Sequence, residues 1–281
     1  MTVFISYLCI MNEFFLSELH IYPIKSLAGI SLTQSLLEEK GLQYDRRWML
    51  IDNEGTFISQ RKYPELALLQ ISLEQTHLTV THKNNPSITT SFLYEENTGQ
   101  PIAVNVWGTD CTGIEVSIAV SKWFSEFLQI NTRLVQMPEA ERRLVDPRYA
   151  TDQEVVSFAD GYPCLIISQA SLDGLNERLP QPIPMNRFRP NFVFTGGGPH
   201  IEDSFDTFSI GTLVFKAVKP CSRCVMITVD QQTAVKSAEP LKTLAGYRTI
   251  NKKIMFGQNL VHRGSGIIKV GDQLHVKEWK V

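Results

Sequence analysis

The sequence predicts a β-rich α+β protein built as two β-barrel-like domains with a few peripheral helices. Three observations predict it. Apolar runs are short and end at Gly, Pro, Asn or Asp, as strands do between turns. Helical periodicity is confined to a few segments, too few for a bundle or for alternating βα units. A polar interruption between about 95 and 120, carrying Glu95, Glu96, Asn97, Gly99 and Pro101, divides the chain into a first unit over 13–100 and a second over 115–281.

In chain order, Arg47–Asp52, Asn53-Glu54-Gly55 and Thr56–Gln60 read as a hairpin with a Gly-containing loop. Leu68–Ile71 and Leu78–His82 read as a strand pair, Leu78 and Val80 alternating with Thr79 and Thr81. Val120, Trp123, Phe124, Phe127 and Leu128 recur at helical spacing and predict a helix over 118–129. Leu172, Leu175 and Leu179 predict a second over 171–179, capped by Ser168 or Ser171 and stopped by Pro180 and Pro182. Gly266–Asp272 and Gln273–Val276 read as a closing hairpin. The charged stretch 138–154 is the other candidate boundary and reads as a solvated loop, or as a lid of arginines over an anion.

The 281 residues are 43% hydrophobic and 20% charged with a formal charge of −2, which excludes disordered and collagen-like classes. Lys plus Arg (27) nearly balance Asp plus Glu (29), so no global field selects nucleic acid or anionic membrane as a partner. Five scattered cysteines argue against a secreted disulfide framework and for a reducing, cytoplasmic setting. Residues 1–10 are apolar but lack a basic flank and a cleavage site, and are expected to be a weakly packed leader, with Met11 as an alternative start. No later stretch is long and apolar enough to cross a membrane.

The densest chemical signal is Lys219-Pro220-Cys221-Ser222-Arg223-Cys224, set between two strand-like flanks, 213–218 and 225–230. A structural disulfide, a zinc site and a single thiolate ligand compete for it. A thioredoxin-like motif needs a βαβ context that is absent, and zinc needs further ligands that Cys111, Cys164 and the histidines do not offer at the usual spacings. Lys219 and Arg223 would favour a thiolate. Asn186–Asn191 places Arg187 and Arg189 just before a strand, where planar guanidinium groups suit phosphate or carboxylate as well as a surface ion pair. Near the start, Lys25 and Ser26 suit an anionic group that Arg46 could join, or else Lys25 is a solvated loop lysine and Arg46 pairs with Asp45.

In order along the chain, His20–Ser26, Tyr44–Ile51, Asn186–Asn191, Pro220–Asp230, Phe256–Asn259 and Ile268–Asp272 resemble a MOSC N-terminal β-barrel domain followed by a MOSC domain. The pattern is similar to that of the amidoxime-reducing component and its bacterial counterparts, which reduce N-hydroxylated compounds. The resemblance implies a molybdenum cofactor, a pterin dithiolene (molybdopterin) with a terminal phosphate, and Cys224 as the catalytic ligand to molybdenum. It further implies that Lys25, Ser26, Arg46, Ser168, Arg189, Asn191, Ser222 and Arg223 bind the cofactor, with Ser157 and the loop Ala159-Asp160-Gly161 as alternatives to Ser168. A soft thiolate suits the metal, and Arg and Lys suit a phosphate.

Only nine residues follow Asp272 and none is Cys, so the resemblance implies a separate ferredoxin-, flavodoxin- or cytochrome-like electron donor. The membrane anchor of the mitochondrial relatives is not expected here. Asp230 stands near the cysteines either as a proton source or as a turn residue. The rival functions are a sulfur carrier with a persulfide on Cys224, and a zinc-stapled interaction module.

Overall fold

A computed structural model describes residues 13–280, so the leader over 1–10 lies outside the described residues. Alternation produces the strands of the largest sheet: in Leu213–Ser222, Leu213, Phe215 and Ala217 are buried while Val214 and Lys216 are half-exposed. Seven strands close into a barrel, in the order Cys164–Ser168, Phe192–Thr195, Phe14–Ile21, Gln273–Trp279, Phe205–Ile210, Leu213–Ser222 and Lys253–Arg263, the last pairing back to the first. Its first two strands run parallel; the other pairings are antiparallel. The barrel therefore takes one strand from the N-terminal segment. Its core is aromatic, with Phe14 edge-on to Phe194 and Phe205 at centroid distances of 5.7 and 5.4 Å.

The other unit is a half-barrel, joining the sheet Trp48–Ile51, Arg133–Gln136, Thr109–Glu115, Pro101–Val106 to the meander Leu69–Leu73, His77–His82, Asn85–Leu93. Helix Ile118–Leu128 covers it, burying Val120, Phe124 and Leu128; the Ser117 hydroxyl accepts from the Val120 amide, and Gln129 ends the helix in the left-handed region at φ 55°. Three α-helices occur among the described residues, the architecture expected. Among those residues no helix is long and apolar enough to cross a membrane.

Three local expectations are corrected. Gly266–Lys269 and Gln273–Trp279 do not pair with each other. The first joins Gln34–Glu38, the second Phe14–Ile21 and Phe205–Ile210, and the turn between them is held by the Asp272 carboxylate on the Lys269 amide (2.8 Å). Both arms find partners in better-buried strands. The segment after Cys224 is a 3-10 turn, Val225–Thr228, rather than a strand, closed locally by the Thr228 hydroxyl on Val225 O (2.7 Å) and the Val229 amide on Met226 O (3.2 Å). The second helix spans Gln169–Asn176, capped by the Ser168 hydroxyl rather than Ser171. The 47–60 hairpin forms, but its second arm is short: it meets the first through the Ile51–Phe57 bridge, the Asp52 amide on Thr56 O (3.0 Å) and the Ile58 amide on Leu50 O (2.8 Å), while Thr56 also bridges to Asn105.

Candidate functional site

Strand ends from both units converge on one cleft. Lys25 and Ser26 follow Phe14–Ile21, Arg46 precedes Trp48–Ile51, Arg189 and Asn191 precede Phe192–Thr195, and Cys221–Cys224 lies at and just beyond the end of Leu213–Ser222. Three of these residues, Ser26, Arg46 and Arg189, adopt left-handed backbone angles (φ 72°, 51° and 56°) without being glycine. Each such residue costs on the order of 1 kcal/mol and persists only where its surroundings hold it. Arg46 is held on both sides, its amide donating to Tyr22 O (3.0 Å) and its carbonyl accepting from the Phe158 amide (3.0 Å). Gln60 Nε2 donates to Ser26 O at 2.7 Å.

The lining is strongly cationic: Lys25, Arg46, Arg61, Arg187, Arg189 and Arg223 face it, against the single carboxylate of Asp160. Tyr22 lies against two of them, with the Arg46 and Arg189 guanidinium carbons 4.2 and 4.1 Å from its ring centroid. Its hydroxyl donates to Pro190 O (3.1 Å), and burial pushes its pKa up to about 12. The buried Asp45 carboxylate accepts from Arg46 Nη1 (2.6 Å) and from the Tyr22 amide (2.8 Å). Arg189 has no carboxylate partner among the described residues; Nη1 donates to Leu27 O at 2.6 Å, and burial pushes its pKa down to about 10. It remains a cation at neutral pH. Asn191 Oδ1 accepts from the Leu165 amide at 3.2 Å, which fixes the start of the Phe192–Thr195 strand.

At the cysteine loop, Cys224 is exposed and Cys221 half-buried. Arg223 Nη1 donates to Cys221 Sγ at 3.0 Å, while Nη2 donates to Phe188 O at 2.5 Å, so one guanidinium ties the loop to the Arg189 segment. Cys111 and Cys164 are core thiols; burial pushes Cys111 up to about 11 and Cys164 higher still. Among the described residues no three His, Cys, Asp or Glu side chains gather as a metal-ligand set, so the zinc module has no support there.

Of the site residues named from sequence, the cleft brings together Lys25, Ser26, Arg46, Arg189, Asn191, Ser222, Arg223 and Cys224. Ser168 is elsewhere: fully buried, it spends its hydroxyl on the Ala170 amide (3.1 Å) as a helix cap. Asp230 is a turn residue, accepting from the Gln232 and Thr233 amides (2.8 and 2.9 Å) and pairing with Arg187 (2.6 Å). The 138–154 stretch is an irregular loop with surface pairs at Arg142 and Arg148, but Arg143 turns inward and is buried. The loop Ala159-Asp160-Gly161, the alternative to Ser168, does line the cleft, whereas sequence reasoning missed Trp107, Arg61 and Phe57. Trp107-Gly108 between two apolar alternations marks a hairpin tip, and that was the one available signal.

Comparison with known proteins fits this geometry. Residues 13–131 match the MOSC N-terminal beta barrel domain and 153–275 the MOSC domain. The chain is 33% identical to the human mitochondrial amidoxime-reducing component 1 over 92% of its own length and 82% of that protein, and 32% identical to the mouse protein over 92% and 81%. It is also 32% identical to the molybdenum cofactor sulfurase of rice over 88% of its length, while spanning 32% of that longer protein. The chain thus belongs to the family that joins a MOSC N-terminal barrel to a MOSC domain.

Proposed function

We propose that the chain is a molybdenum-cofactor oxidoreductase that reduces N-hydroxylated compounds, N–OH to N–H, with electrons from a separate donor protein and in the cytoplasm. The observation that carries the reading is an exposed thiol, Cys224, at a cleft lined by six cations and one carboxylate. The donor set fits the group. A soft thiolate suits molybdenum, and the guanidinium and ammonium groups suit a phosphate-bearing pterin.

When bound, the cofactor supplies the redox centre for a reaction that consumes two electrons and two protons per N–OH and releases water. The chain's own residues do the rest. Cys224 offers the ligand sulfur. Lys25, Arg46, Arg189 and Arg223 neutralise the phosphate and the dithiolene. Ser26 and Ser222 would orient the ring through hydrogen bonds, while Asn191, its side-chain amide engaged with Leu165, Arg46 and His20, would brace the Arg46 guanidinium beside it. Tyr22 and Asp45 keep the guanidinium groups in place.

The test is molybdenum analysis of wild type and Cys224→Ala, with reduction of a simple amidoxime by a chemical donor. The variant is expected to lose molybdenum and turnover while its circular dichroism is unchanged; retention of both would remove Cys224 as the ligand. The relationship to the rice sulfurase supports a second reading, a persulfide carrier. Intact mass separates the two, since a persulfide adds one sulfur to the chain and brings no molybdenum.

A further inference from the structure

We infer that Asp160 is a built-in competitor for the Lys25 ammonium, a carboxylate that an anionic ligand must displace to reach that cation, with Arg143 as its positioning residue. The inference rests on the anion-site reading of the cleft and identifies the one group there whose charge opposes binding.

Lys25 Nζ donates to Asp160 Oδ1, and the side chains are 7% and 72% accessible, so the carboxylate lies on the solvent side of the ammonium. The same oxygen accepts from Trp107 Nε1 at 2.9 Å. Lys25 otherwise faces the Phe57 ring, 4.8 Å from its centroid, which leaves Asp160 as its one salt-bridge partner among the described residues. Desolvation works against the carboxylate, yet the ammonium and the indole hold Asp160 well below the usual carboxylate range. It is therefore an anion at any working pH.

Asp160 is also fixed from behind. Arg143 is 5% exposed and has no ion-pair partner among the described residues. Its Nη1 donates to the carbonyls of Ser157 (2.8 Å) and Ala159 (2.6 Å), and Nη2 to that of Asp160 (3.0 Å). A buried guanidinium is costly unless its donors are used; here Nη1 and Nη2 are spent on one short loop, while Nε has no partner among the described residues. With its backbone held, Asp160 releases Lys25 only by rotating its side chain. Weak anions are thereby excluded, and an ion that gains the neighbouring guanidinium groups at the same time is admitted.

The test titrates the full chain, made in a host that cannot synthesise molybdopterin, with inorganic phosphate by calorimetry at fixed ionic strength. Asp160→Asn is expected to bind phosphate about tenfold tighter than wild type. Adding Lys25→Met should abolish that gain. Arg143→Lys, which keeps a charge but does not span three carbonyls, should give a smaller gain that disappears in the Asp160→Asn background. Equal or weaker binding by Asp160→Asn, or a gain that survives Lys25→Met, overturns the proposal alone. No saturable binding by any of these proteins overturns the anion-site reading with it.

Discussion

The interior of the closed barrel and the cleft are built on the same strands, yet they bury opposite kinds of side chain. Along Phe14–Ile21, Phe192–Thr195 and Leu213–Ser222 the inward positions are Phe14, Leu16, Phe192, Phe194 and Phe215, all hydrocarbon and at most 3% exposed. Where the first two of those strands adjoin loops, the buried residues include Lys25, Arg187 and Arg189 among the apolar Ile24, Leu27 and Phe188, each of the three cations under a tenth exposed. Area removed from water stabilises the first region by about 25 cal/mol per Å². The second pays for desolvated charge and left-handed backbone and gives back recognition. The difference teaches that the barrel's surplus stability is what allows the cleft to hold cations with so few carboxylates.

Substitutions sharpen or break that contrast. The largest effect is expected inside the barrel. Phe205 contacts Phe14, Phe194, Phe208 and Trp279, and Phe205→Ala should cost about 3–5 kcal/mol in urea denaturation. A loss below about 1 kcal/mol would mean the barrel is not the stabilising element. Next comes Glu202, a buried acid outside both regions, with its carboxylate on the Ser171 hydroxyl (2.8 Å). Burial raises its pKa from 4.5 to about 7, against the pull of those hydrogen bonds. Between those values the native state holds a proton that the unfolded chain releases, so this group's contribution falls as pH rises. Burial of His200 lowers its pKa from 6.5 to about 4 and acts in the opposite sense, adding stability as pH rises through that window. Glu202→Gln should therefore gain on wild type between pH 4.5 and 7.5, by on the order of 2 kcal/mol. Urea midpoints across that range check it; a constant offset would show that Glu202 does not titrate.

The smallest change in stability is expected in the cleft itself. Arg189→Met removes a buried cation that has no carboxylate partner, so unfolding free energy should move by less than about 1 kcal/mol while molybdenum content falls severalfold. A strongly destabilised variant with full molybdenum would invert the contrast.

The parts of the fold legible in the sequence are those with local periodicity. The helix carrying Val120, Phe124 and Leu128 and the alternation through Leu78 and Val80 both occur as their patterns indicate. Asn85–Leu93 was not legible, because it is an edge strand in which only Phe92 is buried, so it carries no apolar alternation. The Gly266–Lys269 segment misled because a turn rich in Gly and Asp reads as a hairpin whichever strands its arms go on to join. In the cleft, Lys25, Arg189 and Cys224 stood out because each sits in a compact run of polar residues beside a strand. Asp160 stood only within an alternative to Ser168 and Trp107 not at all, since single loop residues acquire meaning only from what the opposite unit places beside them.

Strand Phe14–Ile21 pairs locally with the short Ile30–Leu32, but its two neighbours in the barrel, Phe192–Thr195 and Gln273–Trp279, follow it by more than 170 residues of chain. On the ribosome this segment emerges long before either flank exists, and must wait with its apolar face uncovered until the last staves arrive. Expressing 153–275 by itself would leave a missing slat in the barrel wall and a truncated final strand. Such long-range closure makes for slow folding, and for a protein best handled as one piece.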